Sequence, residues 1–130
     1  MKTIGLLGGM SWESTALYYR LINEETRRKL GGLHSARIVL ISLDFHEVEV
    51  LQHQDDWVAA GELLASAARR AAAAGADFLL ICTNTMHKVA DEVAASIEIP
   101  LLHLADATAG RIVDAGITTV GLLGTRFTME

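Results

Sequence analysis

The sequence predicts an α/β fold, a parallel sheet flanked by helices, on two observations. Five short segments are apolar along their whole length instead of alternating: "TIGLL", "RIVLISLDF", "DFLLIC", "PLLHL" and "TTVGLLG". Strands of that kind are buried on both faces, as in parallel sheets. Between them lie stretches with helical periodicity, and strand–helix alternation is the pattern of a sheet built through crossover helices. The 130 residues, 51% hydrophobic and 21% charged, supply enough material for one core.

Thr3 to Leu7 is the first strand, and Gly8-Gly9 turns the chain. Ser11 or Ser14 caps a helix whose apolar face carries Leu17, Tyr18, Leu21 and Ile22, and Gly31-Gly32 stops it. Arg37 to Phe45 is the second strand, with a loop from Asp44 to Gln54 after it. Asp55 or Asp56 opens a helix with Val58, Leu63, Leu64, Ala67 and Ala71 inward, ended by Gly75. Asp77 to Cys82 is the third strand. Met86 to Ile97 reads as a helix with Val89, Val93, Ala94 and Ile97 inward. Pro100 to Leu104 is a fourth strand, Ala105 to Ala115 a helix stopped by Gly116, and Thr118 to Gly124 a fifth strand.

The first and fifth strands echo one another. "TIGLLGG" at Thr3 to Gly9 and "TVGLLGT" at Thr119 to Thr125 share five of seven residues. The expected organisation is a first α/β lobe over residues 1–103, then a connecting helix and the first strand of an incomplete second lobe over 104–130.

Several functions are excluded or disfavoured. The net charge is −5 and the basic residues are scattered, which argues against nucleic acid as a partner. No stretch reaches the roughly 18 apolar residues of a membrane span, and the N-terminal apolar run is too short for a signal peptide. A single cysteine, Cys82, builds no internal disulfide and fits a reducing compartment, so a cytoplasmic protein is expected. The glycine turn is neither G-x-G-x-x-G nor a P-loop. His34, His46, His53, His87 and His103 lack ligand spacing, so no metal is expected.

In parallel sheets ligands sit outside the carboxyl ends of the strands. Three such ends matter here: Gly8 to Ser11, Leu43 to His46 and Cys82 to Thr85. At the last, Thr83, Asn84 and Thr85 are cap-type residues whose hydroxyl, amide and backbone N–H groups can grip a carboxylate. A thiol at such a junction can be activated by the helix N-terminus, or it can be a small buried hydrophobe.

Taken together, "IGLLGGMSWEST", the N-T-x-H of "NTMH", "LHLADAT" and "LLGTRFTME" resemble the aspartate/glutamate racemase family over the whole chain. The likeness is greatest to bacterial L-aspartate/glutamate-specific or broad-specificity amino-acid racemases. It implies two similar α/β lobes with the site between them. It also implies racemisation without pyridoxal phosphate or other cofactor, by one acid/base group from each lobe, usually two cysteines. Inversion requires one group to take the α-proton and another to return one from the opposite face, with water excluded.

The sequence departs from the family motif, Cys-Asn-Thr-x-His, at one place. Thr83 occupies the cysteine position and Cys82 lies one residue earlier. Neighbouring strand residues point to opposite sides, so Thr83 is the first candidate for the catalytic group and Cys82 the second. A hydroxyl donates or relays a proton far more readily than it abstracts one. The base would then be a second-lobe cysteine outside these residues, with the L-enantiomer the form deprotonated. The resemblance further implies that Asn84 and Thr85 hold the α-carboxylate, that Met10 lines the pocket and that Gln52 takes the position facing the distal carboxylate. Thr125 is either a second-lobe contact or a turn residue. The competing readings are a related isomerase or decarboxylase of the same superfamily and a non-catalytic ligand-binding domain. A homo-oligomer, most simply a dimer, is expected. The 130 residues alone are expected to be nearly inactive and to associate or exchange strands.

Overall fold

A computed structural model describes residues 1–129, so Glu130 of the second-lobe segment lies outside the described residues. Three parallel strands form one sheet in the order β2-β1-β3. They are β1 (Thr3–Gly8), β2 (Arg37–Ser42) and β3 (Phe78–Ile81). The central β1 pairs with β2 from Thr3↔Arg37 to Gly8↔Ser42, and with β3 from Ile4↔Phe78 to Leu7↔Ile81.

Helix α3 (Trp57–Ala73) covers one face of this sheet. Asp56 caps it, its carboxylate accepting from the Ala59 N–H at 2.9 Å. Its Ala60, Leu64, Ala67, Ala68 and Ala71 are buried in one cluster with Leu7, Leu79 and Ile81. Four of those five are alanines, which lets the helix axis approach the sheet closely. Val58, expected inward, is 86% exposed on the first turn. Helix α1 (Trp12–Leu30) lies on the other face, capped by Ser11. Its inward stripe runs Thr15, Tyr18, Ile22, Thr26, so Leu17 and Leu21, expected inward, sit at the stripe's edge and stay about half exposed.

The strand expected to reach Phe45 stops at Ser42. Leu43 still donates its N–H to the Gly8 carbonyl at 2.9 Å. Asp44 then caps helix α2 (Phe45–His53), its carboxylate accepting from His46 N–H. A capping signal ended the strand where hydropathy alone continued it. The expected helix Met86 to Ile97 is a 3-10 turn, Thr85–Val89, with α4 (Ala90–Ala95) after it. Val89 and Val93 are buried as expected. Three residues per turn shift the phase of the helix beyond, and Ala94 faces out.

The expected fourth strand is one bridge, Leu79↔Leu101. Pro100 brings no N–H, and His103 leaves the extended run to cap α5 (Leu104–Asp114), accepting from the Ala105 N–H. The expected fifth strand is absent. Residues 118–124 form no regular element and pair with no strand among the described residues, and Leu123 is 93% exposed. An extended segment becomes a strand only through a neighbour. A short helix, α6 (Arg126–Met129), comes next. Among the described residues no helix is long and apolar enough to cross a membrane.

Candidate active site

The three strand ends meet above β1. The Gly9 N–H donates to Thr15 Oγ1 at 2.9 Å, and that hydroxyl donates to the Ser11 carbonyl at 3.0 Å. Gly9 has φ +89°, and a Cβ there would collide with the Leu43 carbonyl oxygen. Only glycine lets the β1 and β2 ends come this close. Ser14, on the first turn of α1, donates its hydroxyl to the Cys82 carbonyl at 2.9 Å and so ties α1 to the end of β3.

At that end the two candidate groups separate. Cys82 still follows the ladder, its N–H donating to the Leu7 carbonyl at 2.9 Å. Leu79 and Ile81 belong to the α3-side cluster, and alternation sends Cys82 to the α1 side. It is 0% exposed. Burial pushes its thiol up to about 12. Tyr18 of α1 is raised too, by its own burial and then by Cys82 beside it. Thr83, the next residue, leaves the ladder and is half-buried. Asn84 is exposed and makes no capping bond to the 3-10 turn it precedes.

Three of the other expected residues gather at this turn and one does not. Gln52, on α2, donates its side-chain amide to Met86 Sδ at 3.0 Å, which seats it over the 3-10 turn. Met10 is buried in the α3-side cluster, away from the open groove. Thr125 comes back to the turn: its Oγ1 lies 3.4 Å from Thr85 Oγ1. Thr128, which sequence reading did not single out, completes a hydroxyl cluster at 3.4 Å from Thr85 and 3.3 Å from Thr125. Gln52, Thr85 and Thr125 thus surround one turn that Asn84 opens, and Met10 stays outside the group.

The segment carrying Thr125 is fixed by aromatic contacts. Phe127 meets Trp57, the first residue of α3, edge-on at 5.2 Å, and Lys88 Nζ sits 4.6 Å above the same indole. Between the turn, α5 and this segment lies a groove of about 620 Å³, lined among others by Asn84, Thr85, Lys88, Ile112, Leu122 and Thr128. Its volume is in the range of small-molecule sites.

His87 links the turn to α5. Its Nδ1 is 2.8 Å from the Thr83 carbonyl, and its Nε2 accepts from the Leu104 N–H at 3.3 Å. Its ring packs edge-on against His103 with centroids 4.5 Å apart. Burial holds His87 below the usual histidine range, and the neighbouring His103 pushes the same way. The sequence offers His87 only as the last residue of the N-T-x-H motif and assigns it no role. The signal available was its place four residues after Thr83, within reach of that carbonyl. Among the described residues no three His, Cys, Asp or Glu side chains cluster as a metal site.

A parallel α/β domain with a hydroxyl- and amide-bearing turn at its strand ends, opening on a small-molecule groove, defines a class: a ligand-binding or catalytic α/β lobe. The family profile for Asp/Glu/hydantoin racemase matches residues 7–130, and the chain belongs to that family. It is similar to a candidate Asp/Glu racemase from Yersinia pestis, with 58% identity and TM-score 0.95 over 100% of this chain and 56% of that one. A second relative, an aspartate racemase homologue from Pyrococcus horikoshii OT3, shows 32% identity and TM-score 0.82 over 89% of this chain and 50% of that one. An aspartate racemase from Picrophilus torridus, 19% identical with TM-score 0.72 over 89% of this chain and 49% of that one, shares the fold. The chain therefore spans about half the length of these structures.

Proposed function

We propose that this chain is the first lobe of a cofactor-independent amino-acid racemase acting on aspartate, glutamate or a similar acid. What supports the reading is the separation of the two groups at the end of β3. The Cys82 thiol is buried and pushed up to about 12, while Thr83 stands outside the ladder at the head of the Asn84–Thr85 turn. In this reading Asn84, Thr85 and the neighbouring N–H groups hold the α-carboxylate, with Thr125 adding a hydroxyl. Gln52 faces the distal group as a neutral amide and discriminates less sharply for a second carboxylate than an arginine would. Met10 is left to the core cluster and takes no part in the site.

The chemistry then runs in two proton transfers. A base on a facing lobe takes the α-proton, leaving a carbanion. Thr83 O–H donates a proton to the opposite face and recovers one from solvent or a relay. Within the first lobe, the burial that raises the Cys82 thiol disfavours the thiolate that abstraction would need. The partner base, a cysteine by family resemblance, therefore belongs to a second lobe. The same reading makes the protein cytoplasmic and homodimeric, and makes residues 1–130 alone nearly inactive.

The test is racemisation of L-aspartate, with deuterium uptake at Cα in heavy water, by the natural full-length protein. Thr83→Ala should lose roughly 10²–10⁴-fold, the usual worth of a positioned acid or base. Cys82→Ala should retain most activity. The opposite ranking, or no α-proton exchange by the unmodified protein, would defeat the proposal.

A further inference from the structure

The bonds around Thr83 assign a role to His87. Two peptide groups flank the Thr83 Cα, and each is held by a side chain from elsewhere. The Cys82 carbonyl before it accepts from Ser14 Oγ at 2.9 Å. The Thr83 carbonyl after it faces His87 Nδ1 at 2.8 Å. Thr83 cannot rotate about its backbone without breaking one of these. The turn has no cap of its own, since Asn84 makes no capping bond. The His87 backbone N–H adds a bond to the Asn84 carbonyl at 3.0 Å.

The polarity of its partners fixes the form of the ring. A backbone N–H can only donate, so the Leu104 N–H, 3.3 Å from Nε2, requires a lone pair there. A carbonyl can only accept, so the proton sits on Nδ1, facing Thr83. Both bonds are made at once only by the neutral ring in this one tautomer. Protonation would put a hydrogen between Nε2 and Leu104 and break the link to α5. The lowered proton affinity of the half-buried ring agrees with this.

We propose that His87 is a positioning residue for Thr83, a neutral Nδ1–H bridge that locks the Thr83 backbone and couples it to the first turn of α5. This deepens, and rests on, the racemase reading above. The two ends of the bridge do different things: the Nδ1 bond holds Thr83, and the Nε2 bond holds the helix that precedes the segment of Thr125 and Thr128.

Two side-chain amides separate the two bonds. Asparagine places an N–H near the Nδ1 position but stops short of Leu104. Glutamine reaches the Nε2 position and lacks the inner donor. His87→Gln and His87→Ala should lower kcat for aspartate racemisation roughly 10²-fold, the scale of a small misplacement of a reacting group. His87→Asn should restore most of it. If His87 served only to anchor α5, glutamine would restore activity and asparagine would not, and that ranking would overturn the proposal.

A readout independent of activity runs beside this, on the ¹⁵N-labelled chain. Imidazole nitrogen shifts should show a protonated Nδ1 and a bare Nε2 at neutral pH. The Thr83 and Asn84 amide shifts and the Thr83 φ coupling should be native in His87→Asn and altered in His87→Gln. An Nε2–H tautomer, an imidazolium at neutral pH, or an unchanged Thr83 in the glutamine variant would overturn the positioning role. Loss of racemisation in the unmodified protein with these NMR signatures intact would instead overturn only the racemase reading.

Discussion

Thiol reactivity tests the geometry at the end of β3 without reference to any substrate. The thiolate, not the thiol, attacks an alkylating agent or a disulfide reagent. At pH 8 an ordinary thiol of pKa about 8.5 is roughly a quarter ionised, while one near about 12 is ionised in about one molecule in 10⁴. Ionisation alone should slow labelling of native Cys82 on the order of 10³-fold relative to the urea-unfolded chain, and its complete burial slows it further. The assay is pseudo-first-order alkylation monitored by intact mass, with circular dichroism to certify the fold. The same shift sets a pH dependence. The folded pKa is raised, so the neutral thiol favours the folded state. That contribution is complete below about pH 8.5, the unfolded value, and is lost as pH rises toward about 12. Urea midpoints should fall over that alkaline window in the natural chain and fall less in Cys82→Ala. Native labelling within tenfold of the unfolded rate, with an unchanged spectrum, would refute the burial argument and return Cys82 to the front as candidate nucleophile or base.

The close approach of β1 and β2 and the seat of residues 126–129 are each open to a substitution test. Gly9→Ala forces a side chain into φ +89° and against the Leu43 backbone, and should cost at least ~1–3 kcal/mol in urea melts. Gly110→Ala, in open space on α5, should be neutral or slightly stabilising, and equal losses at both sites would contradict that close approach. Phe127→Ala removes the edge-on partner of Trp57 and should cost about 0.5–1.5 kcal/mol. It should also shift Trp57 fluorescence in a Trp12→Phe background, whereas an unmoved spectrum would mean that residues 126–129 do not rest on α3.

The elements legible in the sequence were those whose signals are local and doubled. β1, β2, β3 and α3 each combine a continuous apolar run or stripe with a turn or cap residue, and all four form where that pattern put them, with β2 ending three residues early at Ser42. The misses share a physical cause, which is competition that hydropathy does not register. The Asp44 cap converted an apolar stretch into α2, and the phase of the 3-10 turn rotated Ala94 outward. Residues 118–124 have the composition of a strand but no neighbour to pair with among the described residues, so propensity alone left Leu123 in solvent. At the site, the burial of Cys82 was readable from the period of two in a strand, whereas Thr83 lies beyond the ladder, where that period no longer applies. The Thr128 hydroxyl and the His87 bridge were not, because both depend on chain segments folding back across 17 to 43 residues.

The constraints along Ile81, Cys82 and Thr83 separate positions held by the sheet from one held by the turn. Ile81 and Cys82 are still governed by the ladder, as the bond from Cys82 N–H to Leu7 shows. A side chain there is assigned to a face by alternation, and the α1 face is closed by Tyr18 and by Ser14 on the Cys82 carbonyl. Thr83 is the first residue whose direction is no longer set by the sheet. Its backbone is instead set from outside, by Ser14 before it and His87 after it. Desolvation at 82 raises a thiol and so disfavours its thiolate. Position 83 lies beyond the last ladder bond, half-buried at the head of the turn. A hydroxyl there is a far weaker base than a thiolate near neutral pH, so in the proposed reaction removal of a proton from the face Thr83 serves is the slower half, the same two transfers running in reverse for the other enantiomer.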